Sequence, residues 1–177
     1  KSPRKLKIAF LSPLDHAFWV SVRQGVLYAK KELEGKNVEI DYRGFTAGYN
    51  SNDFVKALNE CIEEGCDAFV APGFFMEMMP IFNRLAAKGI PVMSFNHDFP
   101  KGVKRLAYYG PDPYLQGIEA AKLMYNALNG RGNVLIARRD TGIETGIHEQ
   151  RSKGFEDQLM NYRKMRIIGE VIVDDTP

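Results

Sequence analysis

Three short stretches hold the residues with the most chemical capacity. Asp15 and His16 precede the adjacent aromatics Phe18 and Trp19, Asn96, His97 and Asp98 stand in a row, and His148-Glu149 is followed by Arg151. The neighbours Asp15-His16, His97-Asp98 and His148-Glu149 are the residue types of general acid–base or metal-assisted hydrolysis. Their spacing argues against both, because sequence neighbours on a strand or helix point apart. Nor does the chain contain HExxH, a serine elbow or a phosphate-cradling glycine loop. Polar side chains beside flat aromatic rings suit a small polar ring-shaped ligand instead: its hydroxyls need partners and its faces favour aromatic cover. Binding without catalysis, cofactor or metal is the expected chemistry. Phe18 falls in phase with Val22 on a helix, so a core position competes with a binding role there.

These residues need elements to hold them. Lys7–Leu11 reads as a buried strand, and Val22, Val26, Ala29 and Leu33 recur at helical spacing. Between them Pro13 ends the strand, and Ser12, Asp15 or His16 can cap the helix. Val38–Tyr42 alternates as a second strand before a loop from Gly44 to Ser51. A helix then carries Phe54, Leu58, Cys61 and Ile62 on one stripe, with Asp53 in its first turn and Gly65 at its end. Asp67–Ala71 is a third strand. Met76–Lys88 is a helix that tolerates Pro80 only in its first turn, and Gly89 closes it. Pro91–Phe95 is a fourth strand delivering Asn96, His97 and Asp98 at its carboxyl end, where open α/β sheets hold ligands. Leu106–Tyr109 is a short fifth strand.

At Gly110-Pro111-Asp112-Pro113 turn residues mark a domain crossing. A helix from Pro113 to about Asn129, a strand Asn133–Ala137, a polar loop Arg138–Gly146, a helix His148–Asn161 and a strand Arg166–Val173 follow. The expected fold is α/β: a three-layer α/β/α lobe over residues 1–109 with a parallel sheet of flavodoxin-like order, and a partial second lobe over 110–177.

Composition removes other classes. Lys plus Arg number 24 against 22 acidic residues, a formal charge of +2, without the clustered basic face a nucleic-acid partner requires. No apolar run reaches the roughly 18 residues of a membrane helix. With the first strand so near Lys1, the chain is expected to be cytosolic or a trimmed piece of an exported protein. Cys61 and Cys66 match neither a CxxC redox pair nor a zinc pattern, so two buried reduced thiols are expected rather than a disulfide.

Several segments together resemble the type I periplasmic binding protein superfamily, in particular its ribose- and galactose-type sugar-binding branch. They are Ile8-Ala9-Phe10 with Phe18-Trp19-Val20-Ser21 and Gly25, Gly65-Cys66-Asp67-Ala68, and Lys88-Gly89-Ile90-Pro91-Val92. Later come Asp112 with Gly117 and Ala120-Ala121, Gly132-Asn133-Val134, and Arg151 with Gly154-Phe155. The resemblance implies an extracytoplasmic solute-binding protein that closes two lobes on a sugar or polyol, with a membrane permease or receptor as partner. It implies ligand contacts at Asp15, His16, Phe18, Trp19, Asn96, His97, Glu149 and Arg151. Three of these positions depart from the branch: His16 replaces a loop asparagine, Asn96-His97 replaces Asp-Arg, and Glu149 stands near a family arginine, with Arg151 two residues on. A different polyol, a modified sugar or a small signalling molecule fits those changes better than a plain aldopentose. A two-lobe binder needs about 250 residues or more, so the chain is expected to be a fragment. A lactose-repressor-type effector domain and the sensor domain of a kinase or chemoreceptor share the resemblance and differ in output.

Overall fold

The computed structural model describes residues 4–13, 17–45, 51–73, 75–139 and 146–173. Two compact units divide at Tyr109/Gly110, where the turn residues place the crossing.

In the first unit, β1 (Leu6–Pro13), β2 (Val38–Phe45), β3 (Ala68–Ala71), β4 (Val92–Phe95) and β5 (Ala107–Tyr109) form one parallel sheet in the order β2-β1-β3-β4-β5. Strand β1 is an interior strand, paired with β2 from Leu6↔Val38 to Pro13↔Phe45 and with β3 from Ile8↔Ala68 to Phe10↔Val70. Such a strand is covered on both faces, which accounts for its unbroken apolar character. Its odd positions Ala9 and Leu11 share a core with Phe54 and Leu58 of α2 (Ser51–Glu63) and Phe82 and Leu85 of α3 (Met79–Ala87). Phe10 points the other way, its ring 6.1 Å from Tyr42 and 4.8 Å from Phe95, on the face covered by α1 (Ala17–Glu32).

Among the boundaries that differ from the sequence reading, the strand Gly132–Arg139 runs on through Arg138 and Arg139, which read as loop, and three others lie in the first unit. Strand β1 runs through Ser12 and Pro13, and β2 through Gly44 and Phe45, because the two tails pair with each other in register. Ser12 is therefore no helix cap; its buried hydroxyl donates to the Pro13 carbonyl at 3.2 Å. The third helix begins as a 3-10 turn, Met76–Met78, before α3. Pro80 has no N–H for the Met76 carbonyl, so that carbonyl accepts from Met79 instead.

On the face of the sheet that carries Ala9 and Leu11, Lys7 of β1 and Arg43 of β2 lie between Asp41 and Glu64. Lys7 is 2.6 Å from Glu64 and 3.2 Å from Asp41, and Arg43 is 2.5 Å from Glu64. Burial raises the Asp41 carboxyl, but hydrogen bonds from Arg43 and Lys7 outweigh it and hold the group below the usual range.

The second unit contains α4 (Pro113–Ala127), β6 (Gly132–Arg139), α5 (Ile147–Leu159) and β7 (Met165–Val173), with β6 and β7 parallel. Asp112 caps α4 by accepting from the Leu115 N–H at 3.0 Å, and Pro113 opens it. Helices α4 and α5 cross through a glycine pair. A Cβ on Gly117 would overlap the Arg151 carbonyl, and one on Gly154 would overlap the Tyr114 carbonyl.

Gly117→Ala is expected to destabilise the second unit by about 1–3 kcal/mol or more, since backbone carbonyls cannot rotate away from the added methyl. Gly25→Ala, in α1 with nothing near its Cβ, is expected to gain about 0.5–1 kcal/mol. Urea unfolding of the two variants checks both signs.

Candidate functional site

The strand order sets where a ligand can sit. The chain leaves β1 to one side for β2 and returns to the other for β3, so the helices that follow these strands lie on opposite faces and the sheet edge opens between β1 and β3. Described segments after β3 and β4 meet that edge. Asp15 and His16, in the segment after β1, lie outside the described residues.

The loop after β4 is held from several sides. The Asn96 N–H donates to the Tyr109 carbonyl at 2.9 Å, and the Tyr108 hydroxyl donates to the Asn96 carbonyl at 2.9 Å. The Gly73 N–H donates to the His97 carbonyl at 2.9 Å, and a Cβ on Gly73 would overlap the Asp98 carbonyl. Asn96 itself has φ 59°, a left-handed conformation that asparagine tolerates better than most residues.

Asp98, third in the polar row, turns inward. Its carboxylate accepts from the buried Ser94 hydroxyl at 2.6 Å, from the Phe99 N–H at 2.8 Å and from two guanidinium nitrogens of Arg105. Burial raises this carboxyl, and the bonds from Arg105, Ser94 and Phe99 more than reverse the effect, leaving it ionised well below the ordinary range. Asp98 therefore fixes the loop, while Asn96 and His97 remain half-buried at its tip. Sequence reasoning did not find Arg105, Gly73 and Tyr108 as supports of this loop. The signal available was the Asp98…Arg105 charge pair flanking turn residues.

The two aromatics after β1 differ in exposure. Trp19 is 2% exposed and sets its ring edge against Phe95 of β4, centroids 6.2 Å apart. Phe18 is 52% exposed and stands edge-on to Trp19 at 4.9 Å. Trp19 thus links α1 to the carboxyl end of β4, and Phe18 beside it is half exposed. Phe18 does not follow the phase of the buried Val26.

In the second unit Glu149 lies in the first turn of α5, exposed, with a carboxylate oxygen 3.7 Å from Arg138. Arg151 donates to the Gln116 side chain of α4 at 2.9 and 3.2 Å. Arg151 and His148 line a groove of about 410 Å³ along α4, β6 and α5, with Met124, Ile136 and Phe155 among its apolar walls.

Among the described residues, one group could supply three metal ligands: Asp41, Cys61 and Cys66. It offers poor chemistry for a cation, because both Asp41 oxygens already accept from Arg43, at 2.9 and 2.7 Å, and Lys7 is adjacent. Both cysteines are buried thiols, unbridged in this structure. No helix of the described residues is long and apolar enough to cross a membrane.

Residues 8–177 match a family model described as a periplasmic binding protein domain. Among solved structures, the chain is similar to a glucose-galactose binding protein from Geobacillus stearothermophilus, with TM-score 0.80 at 25% identity over 98% of this chain and 60% of that one. It is also similar to an ABC transporter periplasmic solute binding protein from Actinobacillus succinogenes 130z with bound D-allose, with TM-score 0.77 at 23% identity over 95% and 59% of the two chains. A third is the fructose binding periplasmic domain of a hybrid two component system, with TM-score 0.78 at 20% identity over 94% and 54%. The chain spans about three fifths of the length of these structures or somewhat less. No curated protein matches it significantly.

The contrast between the aromatics is measurable. Trp19→Ala is expected to cost about 3–5 kcal/mol of stability, the usual loss for a buried ring. Phe18→Ala, at a half-exposed position, is expected to change stability by no more than about 1 kcal/mol. Thermal and urea unfolding of the two variants distinguish them, and equal losses would place Phe18 in the core.

Proposed function

The chain belongs to the periplasmic binding protein domain family, and from that membership we propose that it binds a sugar or related small polyol outside the cytoplasm, for uptake through a membrane permease. The contacts proposed for this ligand are Phe18, Trp19, Asn96 and His97 at the carboxyl edge of the first sheet, together with Asp15 and His16, which precede Phe18 in the sequence. Glu149 and Arg151 of α5 are assigned to it as well.

One observation carries the reading. Phe18 is an exposed ring supported from behind by a buried one, and the polar pair Asn96-His97 follows Phe95, on which Trp19 rests. An aromatic face beside fixed hydrogen-bonding groups matches the two sides of a pyranose or furanose, one apolar and one hydroxylated. Because the loop's carbonyls and Asp98 are already engaged, little ordering remains for the ligand to impose, and preorganisation of that kind favours tight binding. A hydroxyl missing from the ligand leaves a site group unpaired at about 1–3 kcal/mol, which supplies selectivity.

Sensing rather than uptake is the second reading. The similarity to a fructose binding domain of a hybrid two component system favours it, since the same pocket would serve either output.

Calorimetry and thermal-shift measurements with D-galactose, D-glucose, D-allose, D-fructose, D-arabinose and their polyols test the proposal. At least one is expected to raise the unfolding free energy by about 2.7 kcal/mol at a hundred times its Kd. Phe18→Ala is expected to weaken that sugar tenfold or more, about 1.4 kcal/mol, on the scale of aromatic anchors. Silence across the whole panel contradicts the sugar-binding reading. Unchanged affinity in Phe18→Ala removes that ring from the site.

A further inference from the structure

We propose that Cys61 and Cys66 are a disulfide site, joining the end of α2 to the start of β3. The backbone brings the pair together. Gly65 ends the helix at φ +73°; its N–H donates to the Ile62 carbonyl at 3.1 Å, and the Cys66 N–H reaches back to the Cys61 carbonyl, also at 3.1 Å. This nested pair of bonds is the Schellman helix stop, in which the residues joined by the outer bond hold their side chains in contact. Here both are cysteine.

Cys61 is 0% and Cys66 6% exposed, and their sulfurs lie within 4.8 Å of each other. With the two backbones already hydrogen-bonded, side-chain rotation can close the remaining gap without moving either element. A metal is the weaker occupant. The third candidate ligand, Asp41, is committed to Arg43 and Lys7, two cations that oppose another.

The chemistry requires a disulfide donor, either glutathione disulfide or an oxidoreductase in its disulfide form. One cysteine thiolate attacks the donor disulfide and displaces a donor thiolate. The second thiolate then attacks the mixed disulfide and displaces the other, so two electrons and two protons pass to the donor. Burial pushes the Cys61 thiol up to about 12 and raises Cys66 as well, so the folded dithiol reacts slowly. The bond therefore forms while the chain folds. Only the oxidising compartment rests on the binding-protein reading; the geometry stands apart from it.

The test is refolding of the reduced, unfolded chain in a mixed glutathione buffer, followed by thiol counting in denaturant and intact-mass measurement. Loss of both thiols with a mass lower by about 2 Da, reversed by reductant, is the expected result. Two thiols that stay titratable, or that each carry glutathione, overturn the proposal. Sugar binding by the same sample separates the two readings. A cross-linked chain that binds no sugar removes the functional proposal alone, and a sugar-binding chain with two free thiols removes this one alone.

Discussion

The rest of the first unit depends on the parallel pairing of β1 with β2 on one side and β3 on the other. Parallel neighbours cannot be joined by a tight turn, so every connection crosses a face of the sheet before the next strand begins. The carboxyl ends of successive strands are thereby gathered on one edge. Close packing keeps the arrangement fixed. Ala9, Leu11, Phe69 and Ala71 on β1 and β3 leave at most 1% of their surface exposed, and the rings of Phe54 and Phe82 fill the space above them. A one-residue slip of β1 would turn Ala9 and Leu11 away from that core.

Placing loops on one edge does not shape them. The loop after β4 is shaped by its own polar groups: Asp98 gathers a hydroxyl, an N–H and a guanidinium, and Gly73 lets the next loop approach without a side chain between. Three adjacent polar residues thus divide their work. Asp98 is spent on structure, and Asn96 and His97 are left at the tip. The aromatic pair divides in the same way, with Trp19 against Phe95 and Phe18 outward.

Much of this was legible in the sequence. The order of strands and helices, the break at Gly110, the stripe Phe54-Leu58-Cys61 and the first-turn position of Pro80 follow from periodicity and from the missing proline N–H. What escaped depended on partners remote in the chain. Ser12 looked like a cap until β2 supplied a neighbour for the end of β1. The role of Asp98 required knowing that Arg105, seven residues on, folds back over it. Cys61 and Cys66 looked unrelated by motif, and the helix stop between them brought their sulfurs close. The exposure of Phe18 against the burial of Trp19 was likewise invisible to spacing alone.

The central claim is that the carboxyl edge of the first sheet is where the ligand is held. Hydrogen–deuterium exchange with and without a sugar that raises the melting temperature tests it most directly. Slowed exchange in peptides covering Leu14–Trp19 and Phe95–Phe99 is the result this account predicts. Protection that instead centres on Lys7, Asp41 and Glu64, with those loops unchanged, would contradict it.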